Sequence, residues 1–198
     1  MSPRSKELSK QMKAESRSAI IAAALELFAK KGFSATTTEQ IAKRARVSKG
    51  LIFAHFPTKQ EILLTIVDEE FDRLLPNSHE DTDAQSPKER FVSLVDSWMD
   101  MLKNKPLLVR LTLQLNLDDE YRKLMKKKGK RYVEIYFDRM RALLVQLGSK
   151  NPDLDSYLLS MLFDGFASNY TVAPDLFPID EIKNYFVEIM LARWKRRR

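Results

Sequence analysis

Apolar residues recur along this chain three and four positions apart, and the two-residue alternation of strands is hard to find. That pattern predicts an all-α fold of about nine helices. The first is predicted over 15–31, where Ile20, Ala24, Leu27 and Phe28 share a face and Gly32 supplies a stop before Phe33 folds back. Two short helices follow, at about 38–45 and 48–56. Ile41, Ala42 and Ala45 give the first a small apolar face, and Val47 closes the turn. Phe56 and either Leu51 or Ile52 anchor the second. Thr38 and Ser48 are the expected N-caps, and Pro57 ends the second helix because the residue before a proline avoids the helical region. Thr58-Lys59-Gln60-Glu61 fits a capping box. It opens a helix carrying Ile62, Ile66 and Phe71 that stops near Pro76.

The polar stretch 76–87 then breaks local order. Beyond it, 87–104 lines up Phe91, Leu94, Val95, Trp98, Met101 and Leu102 on one side. A short helix runs from Pro106 through Leu115. A long one starts at Asp118 or Asp119 and reaches Leu147, with Gly148 as its stop; two more cover 153–171 and 179–195. The 153–171 helix is apolar nearly all round and therefore needs burial on more than one side. Ile182, Phe186, Ile189 and Met190 form a stripe on the last helix.

Charge sharpens this picture. Residues 1–60 hold 12 Lys and Arg against 4 Asp and Glu, a net of +8, whereas the other 138 residues carry 22 against 23, a net of −1. The basic excess sits on the segment holding the two short helices, as expected of a nucleic-acid-binding head on a near-neutral body. Two short helices at a fixed angle are what a protein needs to push one of them into the DNA major groove. The chain thus divides into an N-terminal arm and DNA-binding head, 1–60, and a helical body, 61–198.

Other classes find little support. The absence of cysteine excludes a disulfide framework and a thiolate metal site and fits a reducing cytoplasm. No run of about 18 apolar residues offers a membrane span, and the start of the chain lacks the apolar stretch of a signal peptide. The two histidines, His55 and His79, lie in the head and in the polar stretch, and no metal-binding or phosphate-loop signature occurs. No enzymatic activity and no cofactor are expected.

Segment 17–63 resembles the DNA-binding head of the TetR family of bacterial transcriptional regulators. The matching landmarks are Ile20, Ala24, Leu27-Phe28, Gly32-Phe33, Thr37-Thr38, Ile41-Ala42, Ala45, Val47-Ser48, Gly50, Phe53, His55-Phe56, Lys59 and Ile62-Leu63. The resemblance implies a cytoplasmic homodimer with two heads on a palindromic double-stranded operator. It also implies a body that holds a small hydrophobic or amphipathic effector, last helices that form the dimer interface, and effector binding that releases DNA. Two positions depart from the family pattern. The usual Ala-Gly-Val-Ser turn is here Ala45-Arg46-Val47-Ser48, so Arg46 is strained if that position needs a positive φ, or adds a phosphate contact. Phe53 stands where the family usually has a tyrosine whose hydroxyl touches the DNA backbone.

The candidate DNA-contacting residues are Thr37, Thr38, Arg46, Ser48, Lys49, Gly50, Leu51, Phe53, Ala54, His55 and Lys59. Lys49 opens the second short helix, where base edges and phosphates are met. Gly50 permits close backbone approach or simply packing. Leu51 and Ala54 could touch a thymine methyl. His55 could donate to a phosphate or within the head, and the family pattern gives Lys59 a phosphate. The basic residues at 4, 6, 10, 13 and 17 either lie along DNA or form a loose tail.

For the body, the effector-site candidates are Trp98, Met101, Phe137, Met140, Phe163 and Tyr170, with Arg110, Gln114 and Asn169 as polar handles. Leu158, Leu162, Phe166, Phe186, Ile189 and Met190 are the dimer candidates. Asp164 faces either the dimer seam or a pocket. The basic run Lys126, Lys127, Lys128, Lys130, Arg131 and the tail 194–198 read as solvated. The leading function is a ligand-responsive repressor; the alternative is a DNA-binding dimer without small-molecule sensing.

Overall fold

A computed structural model describes residues 3–74, 85–126 and 130–194. Those residues form ten helices and no strand. Helices α1 (Pro3–Lys31), α2 (Thr38–Ala45) and α3 (Lys49–His55) make the head, and α4 (Lys59–Leu74) leads from it into the body. The body contains α5 (Pro87–Asn104), α6 (Pro106–Leu115), α7 (Asp119–Leu124), α8 (Lys130–Leu147), α9 (Pro152–Val172) and α10 (Ile179–Trp194), with a 3₁₀ turn at Pro174–Leu176 before α10.

In the head, Ile20, Ala24, Phe28, Phe33, Ile41, Ile52, Phe56, Ile62 and Leu63 are buried together. Phe28 and Phe33 meet edge to face at 5.1 Å, which is possible because Gly32 turns back at φ +89°. In the body, Ser86 caps α5 through the Glu89 N–H while the Glu89 carboxylate returns a bond to the Ser86 N–H, and Pro87 fills the first turn. Phe91, Leu94, Val95, Trp98, Met101 and Leu102 are all buried, as their spacing requires.

Four expectations are corrected. First, the N-terminal segment is helical from Pro3, so α1 starts twelve residues before the predicted 15. Second, α2 is capped by Thr37 rather than Thr38. Thr37 Oγ1 accepts from the Gln40 N–H at 3.2 Å and the Gln40 side chain accepts from the Thr37 N–H at 3.1 Å. A cap at Thr38 would put Ile41 at the position that must return the bond, and isoleucine has no acceptor. Third, the long helix predicted to reach Leu147 is divided: α7 ends at Leu124 with a wider turn at 125 and 126, and α8 resumes at Lys130. Fourth, Trp194 is buried, not solvated. The polar stretch with His79, the side chains of Phe71, Lys127, Lys128, Lys130 and Arg131, and residues 195–198 lie outside what is described.

Candidate DNA-binding interface

Ile52 and Phe56 point into the head and leave Lys49, Gly50, Leu51, Phe53 and Ala54 exposed on the opposite face of α3. That resolves the choice between Leu51 and Ile52: Ile52 is the anchor. Ser48 caps the helix by accepting from the Leu51 N–H at 3.1 Å. At Gly50 an added Cβ would meet nothing nearer than Ser48 Oγ at 3.9 Å, so internal packing does not require a glycine there. What its small size leaves free is outside space.

The turn between α2 and α3 is held by two backbone bonds, Val47 N–H to Ala42 C=O at 3.0 Å and Arg46 N–H to Lys43 C=O at 3.4 Å. This geometry requires the left-handed region at position 46, and Arg46 occupies it at φ 57°, ψ 39° with its side chain exposed. A non-glycine residue there costs about 1 kcal/mol.

The cations around this face are not all free. Lys49 Nζ pairs with Glu39 at 2.5 Å, and that bond holds the Glu39 carboxyl below its usual range. Arg44 pairs with Glu26 on α1, which also pairs with Lys30. Lys59 is turned inward: its ammonium donates to the Phe33 carbonyl at 2.9 Å, lies 4.3 Å from the Phe33 ring centre and pairs with Glu120 at 3.2 Å. Glu120 also accepts from Gln60 Nε2 at 2.7 Å. Two residues before it, Asp118 accepts from Ser34 N–H at 3.0 Å and Ser34 Oγ at 2.8 Å. The start of α7 is thereby fastened to the head at two points. Nothing in the one-dimensional pattern marks this latch, because its partners lie 61 and 84 residues apart.

His55 Nε2 lies 2.8 Å from Ser16 Oγ on α1. Burial, with the charges of Lys13 and Arg17, pushes the imidazole below its ordinary value. Thr37 is exposed beside the start of α2, whereas Thr38 is half-buried.

The body candidates are not brought to one place. Trp98 stacks on Phe163 at 4.5 Å and reaches Phe166 at 5.5 Å, with Met101 and Met140 buried nearby in the core. Tyr170 stacks on Phe166 at 6.2 Å. Phe137 belongs to a separate ring group with Tyr136 and Tyr157. Arg110 and Gln114 sit on α6 against the end of α1, and the amide orientation that satisfies both neighbours of Gln114 is the one that donates to the Ala29 carbonyl at 3.1 Å and accepts from Arg110 Nε at 3.3 Å. Asn169 is exposed and donates to the Gly165 carbonyl of its own helix. Asp164 lies on the side of α9 that faces Tyr136, and desolvation raises its carboxyl. Of the dimer candidates, Leu158, Leu162 and Ile189 are 48%, 50% and 42% exposed, whereas Met190 is 8% exposed. Phe186 packs inward between Phe91 and Phe163. The exposed apolar face also holds Leu154, Tyr157, Met161 and Tyr185, which the stripe on the last helix did not include.

Residues 20–66, spanning the C-terminal part of α1 through the first half of α4, match the family described as bacterial regulatory proteins, tetR family. This head belongs to the TetR family. Among similar proteins, YerO of Bacillus subtilis, described as an uncharacterized HTH-type transcriptional regulator, is 28% identical over 161 residues. The match covers 79% of this chain and 55% of YerO, so the chain spans about half the length of that relative. The fatty acid metabolism regulator protein of the same organism is 25% identical over 182 residues, 87% of this chain and 92% of its own. The solved fatty acid degradation regulator FadR of Bacillus halodurans superimposes with a TM-score of 0.71 at 20% identity, over 92% of this chain and 97% of that one. At that identity the likeness speaks for the fold. The TetR-type head is thus joined to a body of the same architecture. No helix among the described residues is long and apolar enough to cross a membrane.

Proposed function

We propose that the chain is a ligand-responsive transcriptional repressor that binds a palindromic operator as a homodimer, with α3 as the helix that enters the major groove. The observation that carries the reading is the outer face of α3. Lys49, Gly50, Leu51, Phe53 and Ala54 stand exposed together, on a head whose first 60 residues carry +8. Lys49 contacts a guanine edge or a phosphate once it leaves Glu39, Ala54 and Leu51 supply apolar contact to thymine methyls, and Thr37, Ser48, Arg46 and His55 position the backbone. Lys59 contributes through the latch to Glu120 rather than as a free cation.

The effector is a small hydrophobic or amphipathic molecule taken into the body near Trp98, Met101, Met140 and Phe163. The names of two relatives make long-chain acyl compounds the first probes. In the second reading the same dimer binds DNA without sensing; the dense ring packing of Trp98, Phe163, Phe166 and Phe186 favours it. Melting the protein with a panel of acyl compounds separates the two, because a ligand of the native state raises Tm.

The DNA reading is tested by selecting a duplex from a random library with the native protein. Lys49→Ala and Ala54→Glu should then each lose preference for the selected site while melting like the native chain, both positions being exposed. Unchanged preference in both variants overturns the assignment of α3.

A further inference from the structure

Helix α1 is longer than the head requires. From Ile20 onward it buries a face in the core, but residues 7–15 are exposed on every side. This overhang is clasped where it leaves the head. Ser16 meets His55, the last residue of α3, at 2.8 Å, and Arg17 reaches Glu69 on α4 at 2.9 Å with its guanidinium 5.5 Å from the Phe56 ring centre. Past the clasp, residues 3–15 extend about 20 Å at the helical rise of about 1.5 Å per residue.

The row of residues matters more than the length. Lys6, Lys10, Lys13 and Arg17 fall at i, i+4, i+7 and i+11, a single stripe on a helix. The same register continues as Ile20, Ala24 and Phe28. The row that is apolar inside the head therefore becomes basic where the helix leaves it. Lys10 and Lys13 have no carboxylate partner among the described residues, in contrast to Arg17, Lys30, Arg44 and Lys49. An overhang meant for a second helix would keep its apolar row. Here only Leu8 and Met12 are exposed apolar side chains, and they lie on the other side. Two unpaired cations, Lys10 and Lys13, on the stretch of α1 that starts beside the end of α3 fit a polyanion held by α3.

We propose that this basic row is a second DNA-contact element, laid along the phosphate backbone of the duplex flanking the half-site that α3 reads. The proposal rests on that assignment of α3. About 20 Å of helix covers the phosphates of roughly six base pairs, and the contact is with backbone, so it adds affinity without sequence preference.

The test uses the full chain and a fluorescein-labelled mixed-sequence duplex of about 40 base pairs, with affinity measured by anisotropy across a range of NaCl concentrations. Each phosphate neutralised contributes about 0.9 to the slope of log affinity against log salt. The double variant K10Q/K13Q should lower that slope by about 1.8 and melt like the native chain. K123Q/K126Q removes the same charge from exposed body positions and should leave the slope unchanged. Equal slopes for K10Q/K13Q and native protein overturn the proposal, as does an equal loss in K123Q/K126Q. K49A, run alongside, reads α3 separately. Unchanged preference for the selected site in Lys49→Ala and Ala54→Glu sinks the recognition-helix assignment, whereas an unchanged slope in K10Q/K13Q alone sinks only the overhang. Failure of the native chain to bind the duplex at low salt overturns both.

Discussion

Arg46 is held in a backbone region that glycine occupies at no steric cost, although the rest of its turn follows the family pattern. A side chain kept there against about 1 kcal/mol of strain points to a role outside the fold, and its exposure beside α3 makes a phosphate contact the natural one. Arg46→Gly should be neutral to stabilising by no more than about 1 kcal/mol, because lost strain is partly offset by greater freedom in the unfolded chain. Arg46→Ala keeps the strain and should be the less stable of the two. Both should lower the salt slope of duplex binding by about 0.9. Chemical denaturation and anisotropy together check this ordering; a full-strength slope in both variants would show that Arg46 does not touch DNA.

His55 supplies a pH dependence of predictable sign. Its imidazole is depressed by burial and by Lys13 and Arg17, so the unfolded chain takes up a proton first as pH falls. The His55 contribution to stability is complete above the ordinary value of about 6.5 and is lost as pH falls through the lower folded value. His55→Gln should flatten the stability profile on the acid side of the ordinary imidazole value of about 6.5, read from denaturant midpoints. An unaltered profile would mean that the ring is not desolvated beside Ser16. The inward turn of Ile52 was not readable at this scale: on so short a helix Leu51 and Ile52 are both apolar neighbours, and only packing into the core of the head selects between them.

Elements were legible to the extent that caps and prolines punctuate them. Ser86-Pro87 and Pro106 place the starts of α5 and α6 at the predicted residues, because each carries its own local cap or fixed φ. The first four turns of α1 were illegible for the opposite reason: they have no core, so no apolar period announces them. Asp155 escaped notice because a carboxylate in the first turn of α9 reads as solvated, yet it is 3% exposed. It accepts from Ser149 Oγ at 2.7 Å, Trp194 Nε1 at 2.7 Å and Arg193 at 3.2 Å, tying the start of α9 to the end of α10. Burial alone would push this carboxyl up, but those hydrogen bonds and the Arg193 charge outweigh it and leave it lowered. Asp155→Asn should cost about 1–3 kcal/mol, since it weakens the acceptor while the buried donors remain. The carboxylate's contribution is present above the ordinary value of about 3.9 and is lost as pH falls through the depressed folded value. Denaturation from pH 2 to 7 should therefore show a shallower acid limb in the variant. Identical limbs would mean that Asp155 is no stabilising acceptor.

At the scale of the whole molecule, the proposed dimer turns on which side of α9 and α10 meets water. Hydrophobic spacing finds a stripe but cannot say whether it faces inward. Met190 and Phe186 share a helix with Ile189 yet pack into their own protomer, while Leu154, Leu158, Met161 and Leu162 on α9 and Tyr185 and Ile189 on α10 stay exposed. Burying a large apolar side chain is worth about 1.5–3 kcal/mol, so a two-fold pairing of this face is strongly favoured over leaving it wet. Gly165 lies within the same exposed face, and a Cβ there would meet nothing within 4 Å in the protomer. Its lack of a side chain makes sense if a partner helix crosses close at that point. Leu158→Glu and Gly165→Leu should both give folded monomers in sedimentation equilibrium, with helical circular dichroism retained. Gly165→Leu is the sharper of the two, because it adds an apolar group to open space and harms only a close approach. Leu176→Glu changes a residue that is 79% exposed outside α9 and α10, and should leave the dimer intact. The monomers should still bind random duplex with an unchanged salt slope per chain, but lose the affinity for a palindrome that comes from two linked heads. Dimers of full stability in both Leu158→Glu and Gly165→Leu would place the assembly on another surface.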